Sequence, residues 1–179
     1  MFLMGYVKYA QQNMAVNDRI TLNRVLDVIR EIADNHEMIA DFSIGDAATR
    51  GHNKGEDQDD EPEELDYPYL WADPASAGYE IGQNRSISAK LYNISLFVAD
   101  KHSDNAQNDT EILSDTEGIL SDIVQFIATH PTLIQFGLPI GTIQANPSRH
   151  DTIHDVYGWE VIIPIKVPYK FCHTDLPIS

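Results

Sequence analysis

Apolar residues first fall at helical spacing between Asn17 and His36. There Leu22, Val25, Leu26, Ile29, Ile32 and Ala33 share a face, with Arg24, Asp27, Arg30, Glu31 and Asp34 opposite. The pattern predicts an amphipathic helix, with Asn17 or Asp18 accepting the free amide hydrogens of its first turn. Tyr67 to Ala72 is aromatic and extended in character, and Asp73, Pro74 and Gly78 then mark turns. Ser86 to Asp100 reads as a long strand. Ile87, Ala89 and Leu91 share one face, and Ile94, Leu96 and Val98 continue the alternation one residue out of phase. Such a slip near Tyr92 and Asn93 is what a β-bulge or sharp bend produces.

A second helix is expected from about Thr110 to Thr129, capped by Asp109. Its buried stripe is Ile112, Leu113, Thr116, Ile119, Leu120, Ile123 and Ile127. Gly118 either weakens this helix or permits a close approach, and His130–Pro131 ends it. Gly141 to Arg149 is a further strand, HDTIHD a turn, and Val156 to Val167 the last strand. In that strand Tyr157, Trp159, Val161, Ile163, Ile165 and Val167 alternate with Gly158, Glu160, Ile162, Pro164 and Lys166; Pro164 and Pro168 put it at or near an edge. Strands not regularly interleaved with helices indicate an α+β fold of two layers, an antiparallel sheet packed on two helices. Residues 1–16 read as an N-terminal arm, 17–168 as one domain, and 169–179 as a C-terminal tail.

Charge changes this picture in one place. The chain of 179 residues carries 12 Lys+Arg against 28 Asp+Glu, a net −16. Eight of those acids fall between Arg50 and Asp66, against the two bases Arg50 and Lys54. That stretch buries too little apolar surface to offset its ordering entropy, so residues 50–66 read as an exposed acidic loop inserted in the domain. A surface this negative repels phosphates on average, which excludes a reader of DNA sequence. The single cysteine, Cys172, excludes an intrachain disulfide and a cysteine-based zinc site. No run approaches the ~20 apolar residues of a membrane-spanning helix, and the first fifteen residues lack the basic leader and apolar core of a signal peptide.

Candidate chemistry is sparse. His150, Asp151, His154 and Asp155 crowd six residues and have metal-ligating types, but Asn146–Pro147–Ser148 before them and a strand after them make a hairpin loop of the segment. The acidic loop lacks the spacing of a calcium loop, and Cys172 beside His173 is not a nucleophile–base arrangement. The sequons at Asn84, Asn93 and Asn108 are coincidence in a chain without a secretion signal. Trp159 alternates into the apolar face of the last strand and reads as core. Trp71 lies beside Tyr67, Pro68 and Tyr69 with its face undetermined, and Ile162 is apolar on the face opposite Trp159. No metal, cofactor or catalytic residue is assigned. The candidate oligomer or partner contacts are Trp71, Ile162, Glu56, Asp57, Asp59 and Asp60.

The helix NRVLDVIREIADNH, the long bent strand ISAKLYNISLFVAD, the second helix EGILSDIVQFIATH and the closing strand YGWEVIIPIKV resemble, in order and pattern, the tail-terminator and neck proteins of tailed bacteriophages. The similarity runs from about Asn17 to Pro168; the acidic segment and the residues after Pro168 depart from it. The resemblance implies a homo-oligomeric ring, six- or twelve-fold, in the connector between portal and tail. It also implies contacts with the neighbouring portal, connector and tail proteins, with DNA passing through the opening. Such a subunit is made in the host cytoplasm, resides in the virion, and needs no enzyme activity, cofactor or membrane. The alternative is a small metal-dependent hydrolase or ligand-binding regulatory domain that uses the His150–Asp155 cluster. A third reading is an acidic decoy that binds a basic host protein through Glu56–Asp66.

Overall fold

The structure is a computed structural model, and it describes residues 21–45, 65–83, 85–102, 106–133, 142–150 and 155–168. Among these residues two helices, α1 (Leu22–Asn35) and α2 (Ala106–Thr129), accompany five strands. These are β1 (Asp41–Ile44), β2 (Tyr69–Ile81), β3 (Ile87–Lys101), β4 (Ala145–His150) and β5 (Val156–Pro168). The strands form one sheet in the order β1-β2-β3-β5-β4. The fold is α+β. The sheet is mixed rather than purely antiparallel, because β1 pairs parallel to β2 (Asp41 with Tyr69, Ile44 with Ala72). All other pairs are antiparallel.

The sequence pattern fixes which side of each strand meets the helices. Leu70 and Ala72 of β2, Tyr92, Ile94, Leu96 and Val98 of β3, and Val161, Ile163, Ile165 and Val167 of β5 join one core. Val25, Leu26, Val28, Ile29, Ile32 and Ala33 of α1 and Ile119, Leu120, Ile123 and Ile127 of α2 close it. Each large aliphatic side chain removed from water here contributes on the order of 1.5–3 kcal/mol before its ordering entropy is charged against it. Thr116, fully buried in α2, satisfies its hydroxyl by donating to the Ile112 carbonyl one turn back. Trp159 packs against this core as expected and ties α2 to β5, its Nε1 donating to the Leu113 carbonyl oxygen at 2.8 Å.

Several local expectations shift. Thr21, rather than Asn17 or Asp18, caps α1, its Oγ1 accepting from the Arg24 amide at 3.4 Å. Asp109 lies inside the first turn of α2, not at its cap, because the helix begins at Ala106. Asp73, Pro74 and Gly78 are not turns: β2 continues through all three to Ile81. The phase slip at Tyr92 and Asn93 does mark a bulge, but the extra residue belongs to the partner strand. Pro74 pairs with Ile94 and Ser76 with Asn93, which leaves Ala75 unmatched on β2, while β3 runs in unbroken register against β5. Pro164 and Pro168 sit in the half of β5 that extends past β4, whose last partner is Val161. A strand is central in one half and an edge in the other, so missing donors are tolerated only there.

Gly118 makes no close approach. A Cβ added there would meet nothing within 4 Å outside the helix itself. Gly118→Ala is therefore expected to stabilise the protein by roughly 0.5–1 kcal/mol through helix propensity alone. Thermal unfolding should show the midpoint rising by about 1–4 °C.

Candidate functional site

Three regions of the described residues carry polar or aromatic groups out of the ordinary. The first is the sheet face turned away from the helices. Near the β1 side it holds a second, aromatic cluster of Tyr69, Trp71, Phe97, Ala99 and Val156, with Leu65 and Tyr67 packed against it. The Tyr69 and Trp71 ring centroids are 4.1 Å apart, and Trp71 stacks on Phe97 at 5.4 Å, a separation at which aromatic pairs attract beyond their burial. Trp71 is only 4 % exposed, so the chain does not present it to a partner as it stands. Its Nε1 and the Tyr67 hydroxyl are both shielded and without a hydrogen-bond partner.

Burial, with the Asp100 carboxylate adding to it, pushes the Tyr67 phenol from its ordinary 10.0 up to about 12. Because the folded state holds this proton more tightly than the unfolded chain, the associated stability is present below pH 10. It is lost as pH rises through about 12. Alkaline titration followed by tyrosinate absorbance should show a late-titrating component, and Tyr67→Phe should reduce it by one phenol.

Further along the same face the character changes to polar. Ser95 donates to Glu160 Oε1 at 2.8 Å, Asn93 Nδ2 donates to Ser76 Oγ at 2.8 Å, and Lys166 pairs with Glu80. Ile162 stands among these groups, 53 % exposed. It is accessible in the way a contact residue must be. Glu56, Asp57, Asp59 and Asp60 lie outside the described residues.

The second region is the end of the sheet where β3 passes into α2. His102 Nδ1 stands 2.8 Å from Asp109 Oδ1, both atoms shielded from solvent. The backbone amide of His102 donates to the Asp155 carbonyl at 2.8 Å, and Asp155 Oδ1 accepts from Arg149 at 3.0 Å. The His150–Asp155 segment does join two hairpin strands, β4 and β5. Asp151 to His154 and the His150 side chain lie outside the described residues. Among the described residues no group of three or more His, Cys, Asp or Glu side chains is arranged to hold a metal ion. The His102–Asp109 pair was not singled out from sequence, since nothing in the spacing HSDNAQND ties one to the other.

The third region links the helices. His36 Nδ1 accepts from the Met38 amide at 3.2 Å, which leaves Nε2 as the nitrogen that faces Asp122 of α2 at 3.6 Å. At the end of α2, His130 Nδ1 accepts from the Thr132 amide. Burial holds the His130 pKa below its ordinary value, with Glu31 opposing and Arg24 adding to the shift. A depressed histidine favours the folded state above its unfolded value of 6.5, and that preference disappears as pH falls. Stability measured against pH should thus decline below about 6.5, and His130→Gln should flatten part of the decline.

A recess of about 330 Å³ opens between the end of α1 and β1, lined by Arg30, Ala33, Asp34, Ile39, Ala40, Asp41 and Phe42. Its ionisable groups among the described residues are one guanidinium, Arg30, and two carboxylates, Asp34 and Asp41. It offers a place for a small polar molecule. No helix among the described residues is long and apolar enough to cross a membrane. In comparison with known proteins, the chain matches no family model and no curated protein.

Proposed function

We propose that this chain is a structural, ring-forming subunit of a tailed-phage neck, joining the portal side to the tail and surrounding the DNA path without enzymatic activity. One observation carries the reading: the order of elements on one sheet. An amphipathic helix, a long strand pair, a second amphipathic helix and a closing hairpin follow one another in the sequence of the neck and terminator plan. Charge supports it. A chain of −16 repeated around a ring gives an acidic opening, and an acidic wall lets phosphates pass without adhering.

Native mass, taken by light scattering at several concentrations and two salt levels and followed by electron microscopy, tests the proposal. Six or twelve subunits in a ring with a central opening is the expected result. A monomer that also fails to assemble with portal or tail proteins would overturn it.

The metal-dependent alternative has one contact in its favour. The His102–Asp155 backbone bond sets the His102–Asp109 pair at the foot of the His150–Asp155 hairpin, and a carboxylate behind a histidine is how many metal ligands are oriented. A dimer with stoichiometric metal, lost in His154→Ala, would move the assignment there.

A further inference from the structure

Charge is unevenly placed over the described residues. Along its 24 residues α2 carries the carboxylates Asp109, Glu111, Asp115, Glu117 and Asp122 and no cation. The end of the sheet where β2 turns into β3 is the reverse. From Ala75 to Val98 that hairpin has Arg85 and Lys90 against Glu80 alone, and Lys166 of β5 pairs with Glu80 there. Three cations against one carboxylate make this end net positive on a chain of −16.

The same two places expose apolar side chains. Ala77 of β2 pairs with Tyr92, a core residue, which puts Ala77 and Tyr79 on the helix side of the sheet. Yet Tyr79 and Ile81 are 61 % and 60 % exposed. Just past them the Gly82 amide donates to the Ser86 carbonyl at 2.8 Å and the Arg85 amide to the Gly82 carbonyl at 2.9 Å, which sets Arg85 at the tip. Its φ of 60° lies where glycine or asparagine is favoured, so the turn by itself does not call for a cation. On α2, Glu111, Asp115, Gly118, Asp122 and Phe126 recur every three or four residues and form one exposed stripe. Phe126 is 52 % exposed, and a Cβ at Gly118 would meet nothing outside the helix. Asp122 stays open to a second cation, its side chain 67 % exposed although His36 Nε2 lies 3.6 Å away.

We infer that the β2–β3 tip of one subunit docks on the α2 stripe of a second copy of the chain. Tyr79 and Ile81 cover Phe126 and the gap at Gly118, and the Arg85 guanidinium meets the carboxylates of Glu111, Asp115 and Asp122. The inference rests on the ring reading above and supplies the contact it needs, because tip and stripe are unlike surfaces and join subunits head to tail. The stripe is turned away from Ile119, Ile123 and Ile127, which pack in the core beneath the helix. A chain therefore does not bring its own tip to its own stripe. Opposite charges orient copies that repel one another elsewhere, and the apolar side chains supply the burial.

Two full-length variants test this. Tyr79→Ser with Arg85→Asn blunts the tip, and Glu111→Lys with Asp115→Lys spoils the stripe. All four native side chains are exposed, so both variants should keep the circular dichroism of the parent and a thermal midpoint close to it. Should either pair fail that check, Arg85→Asn or Asp115→Lys alone takes its place. Each variant by itself is expected to need at least a tenfold higher concentration to assemble, read by light scattering. Mixed in equal amounts, the two still hold one sound tip and one sound stripe, on different chains. A heterodimer of twice the chain mass, and no ring, is the expected result, and added salt should weaken it.

Variants that assemble as the parent does, or a mixture without the heterodimer, would overturn the docking while the parent's ring stands. A parent that stays monomeric, alone and with portal or tail proteins, would remove the docking and the ring reading together.

Discussion

Gly158→Ala is expected to cost at least ~3 kcal/mol and to lower the thermal midpoint by roughly 10 °C, or to abolish folding. The cause is not backbone conformation. Gly158 lies in the strand interior, paired with Ala99 of β3, and a Cβ built on it would fall 1.9 Å from the Val98 carbonyl oxygen and 2.8 Å from the Ala99 Cα. Both obstacles are backbone atoms of a central strand, so no side-chain rotation relieves the clash, and β3 and β5 would have to part where the sheet is most buried. Against a total stability of about 5–15 kcal/mol for a typical domain, that loss is large. Gly78→Ala is the matched control. Its Cβ would touch only the Leu91 side chain, at 3.8 Å, an ordinary contact. It should unfold within a few degrees of the parent. Equal losses in the two variants would show that glycine flexibility, not the β3–β5 approach, sets the effect.

Much of this fold could be read from the chain because its core uses two clean periodicities. The stripe from Val25 to Ala33 and the alternation from Val161 to Val167 each have one buried side, so spacing alone assigned element and face. Legibility failed where the deciding interaction lies on another strand. β1 has four residues, DFSI, too few to show a period, and its parallel pairing with β2 carries no turn signal. The bulge announced itself as a slip along β3, yet the residue left over is Ala75 on β2; one strand's pattern cannot say which partner holds the insertion. Asp73, Pro74 and Gly78 have turn composition, but they follow the last β1 pair, where no described strand lies beside β2 and such residues are tolerated.

The candidate site was less legible for a different reason. Contacts between identical subunits draw on ordinary surface residues, so no spacing marks them as a metal or nucleophile motif would. Ile162 stands out because an apolar residue breaks the polar side of a strict alternation, and the structure shows it exposed.

Trp71 is the residue on which the two kinds of evidence pull apart, and a pair of substitutions separates them. Trp71→Ala is expected to cost about 3–5 kcal/mol, because the indole fills the space between Tyr69 and Phe97 and its loss leaves an aromatic cluster with no centre. Trp71→Phe should cost far less. The smaller ring keeps most of the stacking, and it removes an N–H that is buried without a partner, a group whose desolvation opposes folding. Denaturant unfolding of both variants, with slopes compared to confirm that only stability has changed, gives the two values. If Trp71 served as a surface contact, the difference in stability would vanish. Both variants would then fold like the parent, and only assembly would suffer. The 4 % exposure of the indole predicts the opposite: loss of stability in Trp71→Ala in the isolated chain, before any neighbour is present, and near-parental assembly by Trp71→Phe.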